Sequence, residues 1–79
     1  MQLLASVVVH VDAGKLASVR RAIVLACGER LQIMSIGRLK GSGRMRVFAG
    51  MHLEAFESAV EAIMRVVPDC ELRGPYPAS

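Results

Sequence analysis

The sequence predicts an α+β domain of the ferredoxin-like type: a βαββαβ sandwich in which a four-stranded antiparallel sheet carries two helices on one face. Three observations lead there. Apolar residues alternate with a period of two in the first and third strand-like segments. They recur at steps of three and four in two other segments, each long enough for a helix. Breaks marked by glycine or proline divide the chain in the order strand, helix, strand, strand, helix, strand.

From Leu3 to Val11, one side of the first strand carries Leu3, Ala5, Val7, Val9 and Val11, and the other carries Leu4, Ser6, Val8 and His10. The first side is wholly apolar and faces a core. Asp12 stands where it can cap the next helix, whose stripe is Leu16, Val19, Ile23 and Ala26, with Lys15, Arg20 and Arg21 outside it. Gly28 suits the end of that helix. A second strand is expected from Leu31 to Arg38, and the turn-rich LKGSG joins it to a third from Arg44 to Met51 as a hairpin. In the third, Met45, Val47, Ala49 and Met51 oppose Arg44, Arg46 and Phe48. The segment LEAFESAVEAIMRVV places Phe56, Val60, Ile63 and Val67 on one stripe and Glu54, Glu57 and Glu61 on the other surface, and Pro68 stops it. A short last strand is expected from Asp69 to Arg73, with GPYPAS, residues 74–79, as an irregular tail.

At 79 residues the chain is a single domain, 1–79, because a chain this short buries only about 60 to 65 per cent of its unfolded surface. No run approaches the roughly 20 apolar residues of a membrane span, so no membrane insertion is expected. The opening MQLLASVVVHVD has no secretory pattern, which points to the cytoplasm, where Cys27 and Cys70 would stay reduced thiols. A net charge of +3 is too mild to mark a nucleic-acid binder.

In the expected strand order 4-1-3-2, the first and third strands are central. Ser6, Val8 and His10 then share an open face with Arg44, Arg46 and Phe48, uncovered by either helix. His10, His52, Cys27 and Cys70 are metal-ligand types, but no two have a ligand spacing, so neither a metal nor a cofactor is called for. His10 has no neighbouring nucleophile or orienting partner, and no catalysis is assigned to it. The glutamates at helical spacing form a solvated face. LKGSG is shorter than a P-loop and precedes a strand rather than a helix. RNA-binding sheets stack bases on several aromatics, whereas this face has Phe48 alone.

These residues resemble a known family. SVVVHVDAGKLASVRRAI is similar to the first strand and first helix of the NapD family, the cytoplasmic assembly chaperones of the periplasmic nitrate reductase. GRMRVF resembles that family's third strand, EAFESAVEAIMRVV its second helix, and Tyr76 stands near a tyrosine of its closing strand. The chain departs from the family in having Cys27 in place of a proline, a longer segment between the second and third strands and the ending GPYP.

The resemblance implies a non-catalytic binding module that holds the twin-arginine signal peptide of a molybdenum-containing reductase, received as a helix on the exposed sheet. Ser6, Val8 and His10 carry over as peptide-binding positions, and the face assignment adds Arg46 and Phe48. Charge opposes part of this reading. Two unit charges about 8 Å apart repel by roughly 2 kcal/mol at an effective dielectric near 20, before screening. Glu71 or the acidic second helix could take the arginines instead. The alternative is an ACT-like domain that binds amino acids: VDAGKLASV is similar to its Asp-x-x-Gly-x-Leu opening with one residue removed, LQIMSIGR resembles its second strand, and Gly14 would let a ligand approach the backbone. Exposed sheet edges also leave a homodimer open.

Overall fold

A computed structural model of the chain describes residues 4–41, 43–68 and 71–77, the last seven by their backbone. The strands are β1 (Leu4–Asp12), β2 (Leu31–Arg38), β3 (Arg44–His52) and β4 (Glu71–Pro77), and the helices are α1 (Leu16–Cys27) and α2 (Phe56–Val66). The protein is therefore α+β, with two helices against an antiparallel sheet. The sheet order is β2-β3-β1-β4. Pairing of β1 with β3 is unbroken over nine positions, from Leu4 opposite His52 to Asp12 opposite Arg44. The register of β2 on β3 shifts between Leu31 and Ile33, and that of β4 on β1 between Ser6 and Val8.

The core fills the space between one sheet face and both helices. Val7, Val9 and Val11 of β1 and Val47, Ala49 and Met51 of β3 meet Val19, Ile23 and Cys27 of α1 and Ala59 and Ile63 of α2. β-branched residues suit the pleated half of that contact, and each fully buried Val or Ile contributes about 1.5–3 kcal/mol. Met34 of β2 packs against the same cluster, so the doubly apolar second strand turns Leu31 and Met34 inward. The Cys27 thiol lies 3.8 Å from the Met51 sulfur. Burial pushes the Cys27 pKa up from its ordinary value.

Several expectations are corrected. The helical stripes are rotated slightly: Ala22 and Cys27 are buried in α1 where Leu16 and Ala26 are half-buried, and Ala55 and Ala59 are buried beside α2's Ile63 while Phe56 and Val60 are half-buried. Asp12 does not cap with its side chain. A short 3-10 turn, Ala13–Lys15, intervenes before α1, and the Asp12 carboxylate instead stands 3.8 Å from Arg44 Nε.

Gly28 does end α1 at a positive φ of 54°, its N–H donating to the Val24 carbonyl. The last strand reaches Pro77, so part of the expected tail is strand instead: Tyr76 pairs with Ser6 and Pro77 with Ala5, while Gly74 and Pro75 fall at the shift in register. Prolines are tolerated there because β4 is an edge strand with an N–H row that needs no partner. Asp69 and Cys70, assigned to the start of that strand, lie outside the described residues, as do Ala78 and Ser79.

Candidate functional site

The helices pack on one face of the sheet, and the other face is the candidate site. Across β1 and β3 its residues stand in opposed pairs: Leu4 with His52, Ser6 with Gly50, Val8 with Phe48, and His10 with Arg46. His10 and Arg46 are thus neighbours on the side turned away from the core cluster, as the alternation predicts. Arg46 is exposed, and His10 and Phe48 are half-buried. Arg44 Nη2 donates to the His10 carbonyl at 2.9 Å, tying the end of β1 to the start of β3.

Ser6 and Val8 are corrected. They lie on the expected face but retain only 6 % and 8 % of their exposure, so they floor it rather than present themselves to a ligand. Their strand is flanked by β3 and β4, and short side chains in the middle of a sheet sit below the longer ones beside them. Any ligand here meets Phe48, Arg46 and His10 first.

Three more residues contribute to this face, of which alternation alone places only Leu4. Ile33 of β2 is 55 % exposed and lies across Gly50: a Cβ placed on Gly50 would stand 2.9 Å from Ile33 Cγ2 and 4.0 Å from Phe48 Cε1. Gln32 Nε2 is 2.9 Å from His52 Nε2, closing one end of the face. Leu4, opposite His52, is exposed as well. The shift in β2 register places both Gln32 and Ile33 against this side, and nothing in a period-two pattern signals such a shift. Farther along β2, Ser35 is opposite Phe48 and Gly37 is opposite Arg46. These small residues leave the flank of Phe48 and Arg46 low.

The face therefore has an apolar middle, with Ile33 and Phe48 over the Ser6 and Val8 floor, and a basic end at Arg46 and Arg44. From Leu4 to His10 it runs about 20 Å at strand rise, the length of a helix of roughly 13 residues. On the other flank, β4 brings Glu71 into register with His10, Arg73 with Val8 and Tyr76 with Ser6. Among the described residues no three His, Cys, Asp or Glu side chains gather as a metal-binding group. No helix among them is long and apolar enough to cross a membrane.

No protein-family model matches the chain. No curated protein matches it either. Solved structures do. A Bacillus cereus protein related to NIF3 superposes with a TM-score of 0.75 at 17% identity, covering 99% of this chain and 26% of its own. CutA from Synechococcus elongatus PCC7942 gives a TM-score of 0.54 at 13% identity, covering 100% of this chain and 82% of its own. This chain thus spans about a quarter of the NIF3-related protein. At these identities the likeness shows the fold.

Proposed function

We propose that the chain is a non-catalytic, ferredoxin-like binding module, closed at one edge by β4, whose open sheet face receives an apolar helical peptide. The observation that carries this reading is the opposition of His10 to Arg46 and of Val8 to Phe48 on the face turned away from both helices. Ile33 and Phe48 supply an apolar contact, and the charged end sets the direction of the bound segment.

In the finer form implied by the NapD resemblance, the peptide is the twin-arginine signal of a molybdenum-containing reductase and the module works in the cytoplasm before export. Its arginine pair is assigned to the Glu71 flank, because that acidic position stands in register with His10 while Arg46 repels a cation.

The ACT-like alternative keeps one supporting observation. Gly14 has a negative φ and open space where a Cβ would stand, so neither conformation nor crowding requires glycine there. Titration with a twin-arginine signal peptide and with free amino acids, following amide shifts, separates the two. Shifts at His10, Ile33 and Phe48 on adding peptide are expected. Shifts confined to Gly14 and its neighbours on adding an amino acid would transfer the assignment to the ACT-like reading, and peptide that leaves Phe48 unmoved would end the first.

A further inference from the structure

On the helix side of the sheet, sharing Arg44 with the open face, the β2–β3 hairpin and the turn that opens α1 border a half-open cavity of about 700 Å³. Leu16, Leu39 and Met45 give it an apolar lining, and Arg38, Lys40 and Arg44 border it. No aspartate or glutamate does so among the described residues. Asp12 is nearby in the chain, but its exposed carboxylate stands 3.8 Å from Arg44 Nε and offsets that one cation. Arg38 and Lys40 leave a local excess of positive charge beside an apolar hollow.

The hairpin backbone fits this arrangement. Leu39 N–H donates to the Arg44 carbonyl at 3.0 Å, closing the loop at its base. Gly41 and Gly43 adopt φ of 74° and 68°, conformations that side-chain-bearing residues rarely take, and a Cβ on either would meet nothing within 4 Å. Gly41 and Gly43 thus border the hollow and place no side chain in it. An apolar lining alone would suit a hydrophobic segment, and a basic rim alone any anion. Their combination selects a molecule that has both parts.

We infer that this cavity binds a small phosphate monoester with an apolar body, its phosphate held by Arg38 and Lys40 and its body against Leu16, Leu39 and Met45. A guanidinium and an ammonium suit a dianionic phosphate, since charge-assisted hydrogen bonds are the strong ones. The site shares only Arg44 with the peptide face and does not depend on that reading.

Hexyl phosphate, inorganic phosphate and hexanol are suitable probes, with amide shifts of the whole chain as the readout. Hexyl phosphate is expected to shift Ala13, Leu39 and Gly41, to bind at least about tenfold more tightly than inorganic phosphate or hexanol, and to leave Ile33 and Phe48 unmoved. The double variant R38A/K40A alters only exposed residues, so it should fold as the parent does and lose about tenfold or more in hexyl phosphate affinity. The proposal is overturned if hexanol binds as well as hexyl phosphate, if inorganic phosphate does, if the double variant keeps the parent affinity, or if the shifts fall outside the hairpin and the α1 turn.

Discussion

Ile33 Cγ2 occupies the space over Gly50: a methyl group added to Gly50 would come within 2.9 Å of it. Gly50 is therefore glycine for room rather than for backbone conformation, since its φ is not positive. Gly50→Ala should cost about 1–2 kcal/mol, because Ile33 is β-branched and must move as a unit with its strand. Ile33→Ala alone should cost less, as the side chain is already half in solvent. In the Ile33→Ala background, Gly50→Ala should be nearly neutral. Urea denaturation of the four proteins measures the coupling, and additive costs would mean that the contact is absent.

Burial ranks the apolar residues by consequence. Ile63 is fully buried between α2 and the sheet, and Ile63→Ala should cost about 2–5 kcal/mol. That is a large share of the stability of a domain of this size, about 4–12 kcal/mol, so the variant should melt well below the parent. Leu25 is 77 % exposed on α1, and Leu25→Ala should change stability by less than about 0.5 kcal/mol. Circular dichroism melts of the two variants check the contrast.

Much of the architecture was legible because each element announces itself locally. The alternation through Val7, Val9 and Val11, and again through Val47, Ala49 and Met51, identifies the core face without tertiary information. What escaped depends on neighbours. Asp12 has the residue type of a cap, but Arg44 arrives from 32 positions away in sequence to claim its carboxylate. Residues 74–77 have the composition of a tail, yet the free edge of β1 accepts Tyr76 and Pro77.

The face of Ser6 and Val8 was correct and their exposure was not, since depth on a sheet is set by flanking strands rather than by alternation. Ile33 was overlooked because a register shift, invisible in the hydropathy pattern, turns it onto the open side. The candidate site was thus half legible: His10, Arg46 and Phe48 from the pattern, and Ile33, Gln32 and Gly50 only from the pairing.

Burial of the Cys27 thiol makes its ionised form costly and raises its pKa above the ordinary value of 9.0. The folded protein then holds a proton that the unfolded chain releases near that value. Stability from this group is present in full below the unfolded pKa and declines as the pH rises from there through the folded pKa. Cys27→Ala should remove part of the alkaline loss of stability that sets in as the pH rises past about 9, as read by urea midpoints at each pH. In a Cys70→Ser background, Cys27 should resist thiol reagents at pH 8 until the protein unfolds. Rapid modification of the native protein would contradict the buried placement.

Arg46 tests the charge argument behind the proposed peptide assignment. It stands exposed opposite His10, and a second cation about 8 Å away would be repelled by roughly 2 kcal/mol before screening. Arg46→Glu reverses that sign without touching the core, so the fold should be unchanged. A twin-arginine peptide should bind the variant more tightly than the parent at low salt, by about tenfold, while a control peptide with both arginines replaced by glutamine should bind the two proteins alike. The gain should shrink toward nothing by about 0.5 M salt, where the Debye length is only about 4 Å. Calorimetric titration at two salt concentrations reads all of this. Equal affinity of variant and parent at low salt would mean that the arginine pair does not approach the His10 end of the face. Binding weakened equally for both peptides would mean that Arg46 contributes packing by its stem rather than charge.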